Sequence, residues 1–97
     1  MRVLARPILI QFGKRHKDAE QSIRAWYHEA KKADWNNSNE IKERYGTASV
    51  LKKGRVIFNI CGNKYRLVVA IKYKPKIVYI RFIGTHKEYD TIDAEAI

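Results

Sequence analysis

The fold class of this chain follows from residues 55–83, which read RVIFNICGNKYRLVVAIKYKPKIVYIRFI. In this stretch apolar side chains alternate with polar ones, which is the period of a β-strand that buries one face. Gly62-Asn63 and Lys74-Pro75 are residue pairs that favour turns. The stretch therefore predicts an antiparallel meander, and one further strand precedes it. The predicted strands are Thr47–Leu51, Arg55–Ile60, Lys64–Lys72 and Lys76–Ile83.

The chain before this meander has the period of helices. Over Asp18–Ala33, apolar residues recur at spacings of three and four, which predicts an amphipathic helix. Pro7–Phe12 fits either a helical face or a strand, and we prefer the helix because proline is well tolerated in a first turn. Ser38 or Asn39 is expected to cap a short helix that runs through Tyr45. This order predicts an α+β fold, with N-terminal helices packed on a twisted antiparallel β-sheet.

The length of the chain, 97 residues, predicts a single domain over residues 1–97. The longest apolar runs fall far below the roughly 18 residues that a membrane span needs. The first residues lack the pattern of a signal peptide. Cys61 is the one cysteine, so no internal disulfide is expected. These features predict a cytoplasmic protein that is not associated with a membrane.

Positive charge dominates the composition and is unevenly distributed. The formal net charge is +10 and the isoelectric point is about 9.9. From Arg44 to Lys87 the chain carries eleven lysines and arginines but no aspartate or glutamate, whereas an ordinary soluble surface mixes both signs. A small chain of this charge is expected to bind a polyanion. Nucleic acid, an anionic membrane and an acidic protein are the classes that fit.

The alternation of side chains assigns most of these cations to one face of the sheet. The apolar face is expected to contain Val56, Phe58, Ile60, Tyr65, Leu67, Val69, Ile71, Val78, Ile80 and Phe82. A turn at Gly62-Asn63 sets Asn59 opposite Arg66. A symmetrical second turn sets Val68 opposite Arg81. Arg81 is then expected to lie diagonal to Arg66, at roughly 7–8 Å.

Two arginines, an asparagine and a tyrosine thus converge on one face without an acid to neutralise them, which is the chemistry of a phosphate-binding surface. The residues expected to contact phosphates or bases are Asn59, Lys64, Arg66, Lys72, Tyr79, Arg81 and Lys87. After the last strand, His86 and Tyr89 fall on one face if that segment is helical, and both side chains can move protons. The sequence has no cluster of cysteine, histidine or carboxylate residues, so it predicts no metal site.

Several motifs of this half resemble the HigB toxins, a RelE-like family of bacterial toxin–antitoxin systems. The motifs are Phe58-Asn59-Ile60, Gly62-Asn63, Tyr65-Arg66-Leu67-Val68, Tyr79-Ile80-Arg81 and Thr85-His86-Lys87-Glu88-Tyr89-Asp90. Their order and spacing match the family, and the N-terminal half has a similar layout of a short strand and two helices. The resemblance implies a RelE-like microbial ribonuclease fold. It also implies an endoribonuclease that cleaves messenger RNA on the ribosome, and a neutralising helix-turn-helix antitoxin encoded beside it.

Cleavage of RNA without a metal or another cofactor uses the 2′-hydroxyl as nucleophile. The reaction needs a base, an acid and cations that stabilise the phosphorane. Arg66 and Arg81 are the expected cations, and His86 and Tyr89 are the expected proton-transfer groups. The sequence does not assign base and acid between His86 and Tyr89.

Other interpretations remain open. The chain could be an RNA- or ribosome-binding module without catalysis. A membrane-associated basic protein is disfavoured because no basic amphipathic helix has a strong apolar face. The antitoxin could mask the face of Arg66 and Arg81 through charge pairs. It could instead dock on the helices, where Trp26 and Tyr27 would offer aromatic anchors.

Overall fold

The structure, a computed structural model, describes residues 1–97 as helices packed against one β-sheet. The strands are β1 (Arg2–Leu4), β2 (Ser49–Val50), β3 (Arg55–Ile60), β4 (Tyr65–Lys72) and β5 (Ile77–Thr85). The helices are α1 (Arg6–Arg15), α2 (Glu20–Lys32), α3 (Ser38–Arg44) and α4 (His86–Tyr89), with a 3-10 turn at Lys17–Ala19. This order confirms the α+β fold class, with three helices before the meander.

The sheet has the strand order β1-β5-β4-β3-β2. Strands β2 to β5 pair with antiparallel neighbours, as the alternation predicts. The fifth strand, β1, pairs in parallel with β5 and places Val3 opposite Val78, so the complete sheet is mixed. A parallel partner needs a long connection, and here the chain between β1 and β5 contains α1, α2 and α3 followed by strands β2 to β4. No turn signal marks such a pairing in the sequence.

The helices follow their predicted positions with small changes at the ends. Pro7–Phe12 lies inside α1, which confirms the helical interpretation over the strand. The region predicted as one helix from Asp18 begins with the 3-10 turn before α2 starts. The N-cap of α3 is Asn37, whose side chain accepts a hydrogen bond from the Glu40 N–H at 3.1 Å, so the predicted caps one and two residues later are wrong.

A β-bulge interrupts the pairing of β4 with β5. Val69 faces Ile80 in the predicted register, but the next pair is Val68 with Phe82, so Arg81 has no partner across the ladder. One extra residue in a strand reverses the alternation beyond it. The predicted pairing of Val68 with Arg81 is therefore wrong. The prediction that Phe82 faces the helices is wrong for the same reason.

The two faces of the sheet bury separate clusters. The main cluster lies between helices and sheet and contains Phe12, Trp26 and Phe58. A smaller cluster lies on the opposite face, where Ile57, Val68 and Ala94 are buried. Leu51, Phe82, Tyr89, Ile92 and Ile97 pack around the smaller cluster. The segment after α4 thus covers part of the face that the sequence predicts as polar.

Candidate functional site

The main-chain oxygen of Asn63 gathers two of the predicted site residues. Asn63 lies in the loop between β3 and β4, and the Arg66 Nη1 donates a hydrogen bond to its oxygen at 3.3 Å. The Nε2 of His86 makes a hydrogen bond to the same oxygen. A carbonyl oxygen only accepts, so Nε2 carries the hydrogen, and in the neutral ring Nδ1 is left as an acceptor. The loop, β4 and α4 therefore present a guanidinium and an imidazole side by side.

A capping box holds His86 in this place. Thr85 is the N-cap of α4: its N–H donates to Glu88 Oε1 at 2.8 Å, and its hydroxyl accepts from the Glu88 N–H at 3.2 Å. The backbone hydrogen bond from Thr85 lowers the pKa of Glu88 below its usual value. Because this reciprocal pairing fixes the first turn, the imidazole has a defined direction although it is exposed.

Tyr89 has a different environment from His86. The segment is helical, as the shared-face prediction requires, but the Tyr89 ring is half-buried and packs against the cluster of Ile57 and Val68. Its hydroxyl has no hydrogen-bond partner within the chain. The ring therefore anchors the segment after α4, and the hydroxyl is left without an internal partner.

Arg81 is exposed and has no ion pair, but it is not the diagonal neighbour of Arg66. The bulge sets Arg66 opposite Gly84, which places Phe82 in the diagonal position instead. Phe82 lies close over Gly84, since a Cβ on this glycine would be 2.6 Å from the Phe82 Cζ. The half-buried Phe82 ring thus takes the position beside Arg66 that the sequence assigned to Arg81. The alternation of side chains predicts that this ring lies in the core, so the sequence did not identify Phe82 as a neighbour of Arg66.

Lys64 is not a free cation. Its ammonium forms an ion pair with Asp18, whose other carboxylate oxygen accepts a hydrogen bond from the Tyr65 hydroxyl at 2.8 Å. The hydrogen bond from Lys64, followed by the one from Tyr65, lowers the pKa of Asp18. The hydrogen bond to Asp18 in turn raises the pKa of Lys64. The expectation that no acid neutralises this face is therefore wrong at Lys64, because a carboxylate from the helical half reaches the loop. His16 stacks on Phe12, with ring centroids 4.2 Å apart.

The remaining predicted contact residues are dispersed. Asn59 faces Arg66 as predicted, but its Nδ2 donates to the Thr47 carbonyl at 3.2 Å. Lys72 ends β4, six residues from Arg66 and therefore about 20 Å along the strand. Tyr79 and Lys87 are exposed. The structure thus brings Arg66 and His86 together and leaves Lys72 at the far end of the sheet.

No group of three or more histidine, cysteine or acidic side chains is arranged to hold a metal ion. None of the helices has the length and apolarity needed to cross a membrane.

The family assignment comes from residues 19–92, which match the model described as "HigB_toxin, RelE-like toxic component of a toxin-antitoxin system". The chain belongs to the HigB toxin family. The match runs from the start of α2 past α4, so it includes Arg66, Arg81 and His86. No curated protein sequence matches this HigB-family chain. Family membership confirms the resemblance stated above and makes the chain the toxic component of a toxin–antitoxin system, which implies an antitoxin partner.

Proposed function

We propose that this HigB-family toxin is a ribosome-dependent endoribonuclease that cleaves translated messenger RNA in the cytoplasm and is neutralised by a helix-turn-helix antitoxin. The observation that supports the proposal is the placement of Arg66 and His86 on one backbone acceptor. A fixed cation beside an imidazole with a free Nδ1 is what phosphodiester cleavage by the neighbouring 2′-hydroxyl requires.

The proposed reaction is an internal transfer. A base takes the proton of the 2′-hydroxyl, the 2′-oxygen attacks phosphorus, and the bond to the 5′-oxygen breaks as an acid protonates that oxygen. The products are a 2′,3′-cyclic phosphate and a 5′-hydroxyl end. His86 and Tyr89 are the proposed proton-transfer groups, and Arg66 and Arg81 stabilise the charged phosphorane. No cofactor takes part in the scheme.

Binding of the RNA uses the neighbouring side chains. Tyr79 and Phe82 offer rings on which an unpaired base can stack. Arg81 and Lys87 are exposed cations without an ion pair, so they are available to phosphates. Asn59, Lys64 and Lys72 have lesser proposed roles, because the first two already have partners in the chain and the third is distant.

Dependence on the ribosome follows from the small number of proton-transfer groups. A surface with so few of them aligns the 2′-hydroxyl poorly by itself, and binding to the ribosome would supply that alignment. The charge of the chain would bring it to ribosomal RNA. Rapid and specific cleavage of free messenger RNA by the pure protein would contradict this part of the proposal.

The test separates an endoribonuclease from a non-catalytic RNA- or ribosome-binding module. We would add wild-type toxin, Arg66→Ala or His86→Gln to translating ribosomes and map new 5′-hydroxyl ends on the messenger RNA. Lys74→Ala is the control, since Lys74 is an exposed cation in the turn at the far end of β4. We expect cleavage by wild type and Lys74→Ala and a strong loss in the other two. If wild type inhibits translation without forming new ends, and His86→Gln inhibits translation equally well, the chain is a binding module.

A further inference from the structure

The loop that carries the shared acceptor of the candidate site has little packing of its own. Asn63 lies in this loop, residues 61–64, between β3 and β4. Gly62, Asn63 and Lys64 are exposed, and a Cβ at Gly62 would meet nothing within 4 Å. Within the loop, one backbone hydrogen bond runs from the Lys64 N–H to the Cys61 oxygen at 3.2 Å. The position of the Asn63 oxygen therefore depends on contacts between the loop and the rest of the fold.

Asp18, in the 3-10 turn before α2, contacts this loop on both sides of Asn63. Its carboxylate forms the ion pair with Lys64, the residue directly after Asn63. Its main-chain oxygen accepts a hydrogen bond from the Cys61 thiol at 3.4 Å, on the other side of Asn63. All hydrogen bonds between the loop and the helical half end on Asp18. A single residue of the helical half thus holds both flanks of the acceptor.

The Asp18 carboxylate has a fixed position because it is also bound to a buried side chain. Its other oxygen accepts the hydrogen bond from the Tyr65 hydroxyl at 2.8 Å. The Tyr65 side chain is 3% exposed, and its ring packs edge-on against Phe12 with the centroids 5.1 Å apart. An isolated exposed ion pair would hold the loop only weakly. Here the core fixes the carboxylate, and the carboxylate fixes Lys64.

We infer that Asp18 is a positioning residue of the candidate site, because it holds the β3–β4 loop where the Asn63 oxygen orients the His86 imidazole for proton transfer. The inference rests on the proposed function, in which His86 transfers a proton. Asp18 makes no hydrogen bond with Arg66 or His86, so it acts through the loop alone. A displacement of about 1 Å at a reacting group can cost about 10²-fold in rate, so the position of this loop controls cleavage.

A second role for Asp18 has the opposite consequence. If its carboxylate only neutralises Lys64, its removal frees an ammonium that can bind an RNA phosphate. Affinity for the ribosome–messenger complex would then rise, and KM would fall. Loss of a positioning residue lowers kcat instead, because the reacting groups are misplaced after the substrate has bound. Separate values of kcat and KM therefore distinguish the two roles.

The first measurement is made on the full-length toxin without RNA. NMR relaxation of the Asn63 amide and of the His86 ring reports how far each of them moves. We expect both to be ordered in wild type. In Asp18→Ala both order parameters should fall toward the range of flexible segments, below about 0.6. The spectrum of His86→Gln identifies the ring signals by their loss.

The second measurement is cleavage on translating ribosomes, at a temperature at which every variant is folded. Asp18→Ala should lower kcat about 10- to 100-fold and leave KM unchanged. Asp18→Glu keeps a carboxylate and should recover most of the rate. The matched control is Asp34→Ala, since Asp34 also joins the helical half to a turn of the sheet, through an exposed ion pair with Lys76 at 3.0 Å. This control should match wild type in kcat and in both order parameters.

Two results would overturn the inference. The first is an Asp18→Ala toxin in which the Asn63 amide and the His86 ring stay ordered, or in which kcat is unchanged. The second is a lower KM with an unchanged kcat, which would show that Asp18 only masks Lys64. Tyr65→Phe keeps the buried ring but removes its hydrogen bond to Asp18, so it keeps the test decisive if Asp18→Ala folds poorly. It should change kcat and the order parameters in the same direction, and wild-type values would overturn the inference.

Failure of this inference is distinguishable from failure of the proposed function. Absence of cleavage by wild type on ribosomes would contradict the proposed function. The NMR comparison is made without RNA and does not depend on cleavage. It would still decide whether Asp18 holds the loop and the imidazole in place.

Discussion

Arg66 and His86 share one hydrogen-bond acceptor, the main-chain oxygen of Asn63. The two side chains come from different elements, a strand and a short helix, so their meeting depends on the loop that carries the acceptor. This arrangement predicts that the two side chains act as one unit in cleavage.

Arg66→Ala is expected to lower the rate of ribosome-dependent cleavage about 10²–10³-fold, the usual cost of one preorganised transition-state contact. Arg81→Ala should lower the rate similarly, and both variants should keep the wild-type fold, since both side chains point away from the main cluster. The combination of Arg66→Ala with His86→Gln should lose much less than the product of the single losses, because groups that act as a unit are not additive. Single-turnover rates of Arg66→Ala, His86→Gln and the double variant measure this coupling. Full multiplicative losses would show that Arg66 and His86 act independently.

Gly84 connects the bulge to the candidate site and gives a prediction on stability. A Cβ there would lie 2.6 Å from the Phe82 Cζ and 2.9 Å from Glu88 Oε1. Gly84→Ala should therefore destabilise the fold by about 1–3 kcal/mol, as overpacking does, and should disturb the first turn of α4. Gly46→Ala is the matched control, because a Cβ at Gly46 meets nothing within 4 Å. Equal unfolding free energies for the two variants in urea would contradict the packing described here.

Local pattern predicted much of the fold. Strand β3 has its predicted ends, and the loop at Gly62-Asn63 sets Asn59 opposite Arg66 as expected. These features depend on alternation and turn chemistry, which neighbouring residues encode. The bulge at Arg81 could not be predicted, because the alternation Val-Tyr-Ile-Arg-Phe of residues 78–82 continues without a break across it.

The candidate site was only partly predictable, for a related reason. The sequence pointed to Arg66 and His86, but the acceptor that joins them is a backbone oxygen, which has no sequence signature. The Asp18 contact with Lys64 was missed because it joins the helical half to the loop after β3. The apolar residues after α4, such as Ile92, gave a signal that this segment packs on the sheet, since Ile92 joins the cluster around Val68.

Asp18 gives a prediction on pH. Its pKa is lowered in the fold from 3.8, chiefly by the hydrogen bond from Lys64 and then by that from Tyr65. A carboxylate with a lowered folded pKa contributes stability above its unfolded pKa, and that contribution is lost as the pH falls through the folded pKa. Asp18→Asn should therefore lower the melting temperature at pH 7 and narrow its difference from wild type as the pH falls below about 4.

The control for this prediction is Asp90→Asn, which removes an exposed carboxylate that has no ion pair. Its melting temperature should follow that of wild type across the same pH range. Thermal melts at pH 7, 4 and 3 compare the three proteins. A constant difference between wild type and Asp18→Asn at every pH would mean that the ion pair does not account for the effect of the substitution.

Tyr89 has two separable parts, a ring that packs on the smaller cluster and a hydroxyl without a partner in the chain. Tyr89→Phe keeps the ring, so the melting temperature should stay at the wild-type value. If the hydroxyl transfers a proton, as proposed, cleavage should fall about 10²–10⁴-fold. Tyr89→Leu removes the aromatic ring as well and should lower both the melting temperature and the rate. Cleavage on ribosomes and thermal melts of the same preparations separate the two roles. Wild-type cleavage by Tyr89→Phe would restrict Tyr89 to anchoring the segment after α4, and His86 would then be the one proton-transfer side chain of the proposed site.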